Sequence, residues 1–177
     1  TPQVVVRTKN EQEVQAAFKA CKKYAIPFTL RAAGTSLSGQ SCTDSVLIVA
    51  GKGWEQFHLD DDKNAITLQP GITGGRVKKI LKPYGRVFPP DPASVGSAMV
   101  GGIVVNNASG MNCGVHANSD HMLLSARLVL TDGTVLDTGD EQSREAFRKS
   151  HPEFLKKIEA LRDEVRKDAD LTERIRY

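Results

Sequence analysis

The segment Arg31-Ala32-Ala33-Gly34-Thr35-Ser36-Leu37-Ser38-Gly39-Gln40 contains the residue types that hold a large anion. Gly34 and Gly39 let the main chain turn through positive φ, so successive N–H groups can point into one concavity. The hydroxyls of Thr35, Ser36 and Ser38 add donors without bulk. That chemistry suits a diphosphate. No Gly-Lys-Ser/Thr is present, so this is not a Walker A loop, and the Gly-x-Gly-x-x-Gly spacing of a dinucleotide turn is absent too. Composition alone describes a flexible surface connection equally well.

A second stretch combines Pro89-Pro90-Asp91-Pro92-Ala93-Ser94 with Gly101-Gly102-Ile103-Val104-Val105-Asn106-Asn107-Ala108-Ser109-Gly110. Prolines stiffen the approach, and paired glycines let main chain press flat against a neighbour. A planar ring lying on main chain would use both features; a turn-rich connection is the plainer alternative. The span from Val87 to Gly114 is so rich in Pro, Gly, Ser and Asn that a functional loop is expected throughout it.

The elements that must position these segments are legible around them. Val4-Val5-Val6 reads as a strand, and Asn10 with Glu13 marks a capped helix whose stripe is Val14, Ala17, Phe18, Cys21 and Tyr24. Pro27 is expected to end it, before strands at Phe28-Thr29-Leu30 and Val46-Leu47-Ile48-Val49. Strand, helix, strand, loop, strand predicts a small parallel sheet. A hairpin follows over Phe57 to Leu68, then a helix capped by Thr73 and stopped by Pro83. Asp132-Gly133 between two apolar runs predicts a second hairpin with a type I′ turn. Glu141 to Arg148 and Pro152 to Lys167 are predicted helices, the second with an apolar stripe of Phe154, Ile158, Leu161 and Val165. The expected fold class is α+β: a parallel βαβ lobe over residues 1–50 and a larger, antiparallel-sheet lobe with flanking helices over 51–177.

Bulk properties narrow the classes. The 177 residues carry 24 basic and 21 acidic side chains for a net charge of +3, and these are interspersed, so no nucleic-acid face is implied. No apolar run approaches the roughly 20 residues that span a bilayer. Cys21, Cys42 and Cys113 form neither a disulfide framework nor a Cys-x-x-Cys metal or cluster motif, which fits a reducing cytoplasmic compartment. His116 and His121 lie in polar sequence without ligand spacing. Glu55, Asp91 and Asp120 read as turn or capping carboxylates.

In this order, the elements resemble the FAD-binding (PCMH-type) domain of the vanillyl-alcohol oxidase and p-cresol methylhydroxylase family. The resemblance rests on Arg-x-x-Gly-Thr-Ser-x-Ser-Gly from Arg31, Pro-Pro-Asp-Pro from Pro89, Gly-Gly-x-x-x-Asn from Gly101, and Leu-Thr-Asp-Gly from Leu130, and it covers nearly the whole chain. It implies that Arg31 and Ala33, Gly34, Thr35, Ser36, Leu37, Ser38, Gly39 and Gln40 surround a pyrophosphate. Pro90, Asp91 and Pro92 would lie near the flavin, with Ser97, Gly101, Gly102, Asn106, Ala108 and Gly110 lining the cofactor. Leu128 and Val129 would approach the adenine end. Relatives with covalent FAD at the first loop have a histidine where Thr35 stands, so non-covalent FAD is implied here.

Thr-Ser-Leu-Ser-Gly-Gln, Pro-Pro-Asp-Pro-Ala-Ser and the His-Pro-Glu-Phe-Leu helix are most similar to the D-lactate, glycolate and D-2-hydroxyglutarate dehydrogenase branch. That implies a parent oxidising a small 2-hydroxy acid and passing electrons to an acceptor, in the cytoplasm or at a membrane surface. The chain would then be a fragment of the FAD-binding domain, ending at Arg174 to Tyr177 as a helix before a missing strand. The substrate-binding cap, any catalytic residue and any iron–sulfur cluster would lie outside it. The alternative from the residues is a nucleotide- or phosphate-binding module without redox activity.

Overall fold

A computed structural model of the chain describes residues 1–114 and 116–176, so Tyr177 of the expected terminal helix lies outside the described residues. Two compact units result, Thr1–Leu124 with Val129–Thr134, and Ser125–Leu128 with Val135–Tyr177.

The first unit begins with strand β1 (Val4–Thr8), helix α1 (Glu11–Lys23), strand β2 (Phe28–Arg31) and strand β3 (Val46–Ala50). All pair in parallel, in the order β1-β3-β2. The last strand therefore enters the middle, which is why Val46-Leu47-Ile48 is a continuous apolar run buried on both faces. Toward α1, Val46 and Ile48 pack with Phe18 and Cys21, and Phe28 stacks on Phe18 at 4.8 Å.

The ends of α1 show how local sequence sets the geometry. Asn10 Oδ1 accepts the Glu13 N–H (2.9 Å), while Glu13 reaches back to the Lys9 N–H (2.8 Å) rather than to that of Asn10. The expected capping pair is present with its return bond displaced by one residue. The helix stops before Pro27, by main-chain geometry: Ala25 takes φ 52°, Ile26 N–H donates to Cys21 O and Ala25 N–H to Lys22 O. This is a Schellman closure with alanine where glycine is usual. An Ala25→Gly variant is expected to gain about 0.5–1 kcal/mol by relieving the left-handed backbone cost, read as a higher thermal midpoint.

The antiparallel hairpin β4 (Phe57–Leu59) and β5 (Ile66–Leu68) leads to helix α2 (Gly74–Leu81), capped by Thr73 Oγ1 on the Arg76 N–H at 3.2 Å. A second core forms there from Ile72, Val77, Leu81 and Val100, with Leu59, Ile66 and Leu68 against it.

The expected loop from Val87 to Gly114 contains a helix, α3 (Val100–Val105), and a short helix α4 follows at Ser119–Met122. The paired glycines conceal α3, since each costs about 1 kcal/mol of helix propensity. Burial of Val100 and Ile103 at helical spacing offsets that cost.

Strands β6 (Arg127–Val129) and β7 (Val135–Asp137) form the second hairpin. Its turn is not type I′. Gly133 alone has positive φ (87°), and the Gly133 N–H donates to Leu130 O, as in a type I turn closed by a glycine bulge. Helices α5 (Glu141–Ser150), α6 (Pro152–Lys167) and α7 (Ala169–Arg176) complete the second unit. Phe147 is buried there between His151 and Phe154, while Phe154, Ile158 and Leu161 of the predicted stripe are half exposed.

Candidate cofactor site

In a parallel sheet, the turns at the carboxyl ends of the strands form the natural place for a ligand. Thr8 pairs with Ala50 and Arg31 with Val49, so the chain leaves β1, β2 and β3 along one edge. Segment 31–40 starts at that edge. Trp54, four residues past β3, is fixed there by its indole N–H on Thr8 O at 2.9 Å.

The loop after β2 has Gly34 at φ 71° and Gly39 at φ 75°. Ser36 Oγ donates to Gln40 Oε1 (2.7 Å) and accepts a long bond from the Ser38 N–H (3.4 Å), so Ser36 organises the turn from inside. The N–H groups of Gly34, Thr35, Ser36 and Leu37 have no acceptor within the chain among the described residues. Four successive donors left without a partner in the chain are a set that an anion could use.

Helix α3 brings the second segment to this loop. Gln40 Nε2 donates to Asn106 Oδ1 at 3.1 Å, across 66 positions of sequence. A Cβ added to Gly102 would meet the Ala32 methyl at 3.6 Å. Gly102 and Asn106 are four apart, so α3 and its C-cap residue meet the start and the end of the loop from one side.

The neighbouring glycines pack against protein. A Cβ on Gly101 would come within 2.6 Å of Pro70 Cβ, and its N–H donates to Pro70 O at 2.9 Å. At Gly110 a Cβ would fall 1.6 Å from the carbonyl oxygen of Asp91. The small residues at 101 and 110 thus let neighbouring chain approach closely.

After α3 the chain reverses at Asn107 (φ 45°), with Ala108 N–H on Ile103 O and Asn107 N–H on Val104 O, a second Schellman closure. Buried Ser119 donates to Ala108 O (2.8 Å), and Asn107 Oδ1 accepts the Asp120 N–H (2.9 Å). Cys113 Sγ donates to Gly110 O at 2.9 Å.

Both carboxylate oxygens of Asp91 are engaged, Oδ1 by Lys78 Nζ and Oδ2 by Asn112 Nδ2, each at 2.5 Å. The hydrogen bond from Lys78 and then that from Asn112 hold its carboxyl below the ordinary carboxylate range, so it is ionised at neutral pH. Pro90 is buried, and the segment through Ala98 is tied to α2 by Gly74 N–H on Ala98 O and Gly75 N–H on Val95 O. Ser97 turns its hydroxyl onto Ser94 O at 3.3 Å.

Val129 packs in the α1 core, and Leu128 belongs to the second unit. Glu55 pairs with Arg76, and Asp120 with His121. No group of metal-binding side chains occurs among the described residues, and no helix described is long and apolar enough to cross a membrane. Sequence reading missed Lys78, Asn107, Asn112 and Ser119. Only Asn107 carried a local signal, as an asparagine just past a helix end.

A parallel βαβ unit followed by antiparallel hairpins, with a small-residue helix closing on the β2 loop, is the PCMH-type FAD-binding arrangement. The chain belongs to the FAD-binding domain family, whose model matches residues 2–139. It is similar to the glycolate oxidase subunit GlcD of Bacillus subtilis (strain 168), 25% identical over 146 residues, which covers 81% of this chain and 31% of the relative. It is also similar to the D-lactate dehydrogenase of Archaeoglobus fulgidus, 29% identical over 137 residues, covering 77% of this chain and 31% of that protein. Among solved structures, the xylooligosaccharide oxidase of Myceliophthora thermophila C1 aligns with a TM-score of 0.68 at 22% identity, over 78% of this chain and 29% of the other. That likeness shows the shared fold. The chain spans less than a third of the length of these relatives.

Proposed function

We propose that segments 31–40 and 90–110 hold FAD non-covalently, as the cofactor-holding part of an oxidoreductase acting on a small 2-hydroxy acid. The observation that carries the reading is the Gln40–Asn106 hydrogen bond, with Gly102 supporting Ala32, because it joins two segments that are far apart in sequence. The N–H groups of Gly34 to Leu37 would take the pyrophosphate, with Ser36 and Gln40 keeping the turn in shape. Ala108 and Gly110 would present main chain to the flavin end, fixed from behind by Ser119 and Asp91. Segment 31–40 contains no histidine or cysteine to form a covalent link.

Bound FAD would supply the redox chemistry, accepting a hydride from the substrate's Cα, and the chain supplies binding and orientation. The 2-hydroxy acid class is supported by the names of the similar glycolate oxidase subunit and D-lactate dehydrogenase. Residues choosing the substrate would lie outside this chain, in a cytoplasmic or membrane-peripheral parent that hands electrons to a separate acceptor.

The test uses the full-length protein loaded with FAD and mixed anaerobically with D- and L-lactate, glycolate and D-2-hydroxyglutarate. Loss of the oxidised flavin absorbance with one or more of these acids is expected. A flavin left oxidised by every one of them would overturn the substrate class.

A further inference from the structure

We infer that Asp91 is a positioning residue: it sets the 108–112 main chain from behind through Asn112 and Gly110, while Lys78 holds it in place. This rests on the reading that the segment faces FAD. Three observations place Asp91 at the centre of a clamp. One carboxylate oxygen accepts from Lys78 of α2 and the other from Asn112, so the side chain is held from two elements at once. Its carbonyl oxygen lies where a side chain on residue 110 would begin. Pro90 on one side is buried, and Pro92 on the other accepts the Val95 N–H at 2.8 Å, so Asp91 sits on a fixed base.

The Asn112 contact fixes where the chain goes after Gly110. Cys113 closes the same turn by donating to Gly110 O and accepting the Gly110 N–H at 3.0 Å. A shift of Asp91 would therefore pass to Gly110 and Ala108 along bonded main chain. Lys78 lies 13 positions from Asp91 and on a different element, and its side-chain hydrogen bond and ion pair are both to Asp91.

The experiment exchanges the amide and the carboxylate. Asn112→Asp alone sets two carboxylates against each other. Adding Asp91→Asn restores an amide–carboxylate contact and leaves an acceptor for Lys78. In the full-length protein, N112D is expected to weaken FAD binding about tenfold and to change the visible circular dichroism of the bound flavin. The D91N/N112D pair should return both to within about twofold of the parent. Lys78→Met gives a second measurement if N112D fails to fold, with the same dichroism change expected at smaller amplitude.

Hydrogen exchange of the apo protein separates the clamp from the cofactor reading. N112D should lose amide protection over 108–113, and the double variant should regain it. A parent that binds FAD while N112D and K78M match it in affinity, dichroism and protection would overturn the clamp. A double variant no better than N112D would overturn it as well. A parent that binds no FAD, while protection follows the swap, would sink the cofactor reading and leave the clamp as a purely structural device.

Discussion

Gly110→Ala is expected to be the most damaging single-methyl change in the first unit. The added Cβ would stand 1.6 Å from Asp91 O and 2.4 Å from its carbonyl carbon, both main-chain atoms that cannot rotate away. Gly110 is not among the positive-φ glycines, so alanine meets no conformational penalty and the whole effect comes from contact. Overpacking of this kind costs about 3 kcal/mol or more, at the severe end of its range. For a chain of this size, that lowers the thermal midpoint by roughly 6–12 °C. FAD affinity should fall with it, because relief requires segment 108–112 to separate from Asp91. Gly39→Ala is the control: its φ is 75°, but nothing lies within 4 Å of the new methyl. It should cost only about 1–2 kcal/mol. Equal midpoints for the two variants would contradict the packing argument.

Phe18→Ala should be comparably costly for a different reason. Phe18 is 1% exposed, stacks on Phe28, and packs with Val46 and Ile48 of the central strand. Truncation of a buried phenylalanine costs about 3–5 kcal/mol through lost transfer energy and the cavity left behind. Because Phe28 begins the strand that delivers Arg31 to the sheet edge, the 31–40 loop should lose order as well. Urea denaturation measures the first effect, and hydrogen exchange over 31–40 the second. A variant within 1 kcal/mol of the parent would show that this cluster is not the core described.

These two variants mark the limits of what the sequence discloses. Phe18 was legible because Val14, Ala17, Phe18 and Cys21 repeat at helical spacing behind a capping asparagine, and local periodicity is what sequence displays best. Gly110 was legible as a small residue, but its neighbour was not. Composition suggested room for a flat ligand, and the structure shows that Asp91 main chain fills the space where a Cβ on Gly110 would stand. Helix α3 was hidden for the same reason: paired glycines depress helical propensity, and only the approach of Gly101 to Pro70 and of Gly102 to Ala32 shows why they are there.

The insertion of β3 between β1 and β2 was likewise beyond local pattern, since a parallel run reads the same at the centre of a sheet as at its edge. The residues of the two segments could be singled out individually, from Gly34 to Gln40 and at Gly102 and Asn106. Their meeting through one hydrogen bond across 66 positions could come only from the fold. Lys78 and Asn112 had no signal at all, because a lysine on a helix and an asparagine in a loop are ordinary until Asp91 is seen between them.

The central claim is that this chain holds FAD between the 31–40 loop and α3. A titration of the purified chain with FAD, followed by the emission of its one tryptophan, tests that claim most directly. Trp54 is bonded to Thr8 O at the same sheet edge as the loop, so a bound flavin there should quench it. Saturable quenching at one FAD per chain is predicted, with a visible spectrum perturbed from that of free flavin. It should weaken in both Gln40→Ala and Asn106→Ala. Tight binding of ATP or GTP with no affinity for FAD would contradict the account, as would FAD binding indifferent to both substitutions.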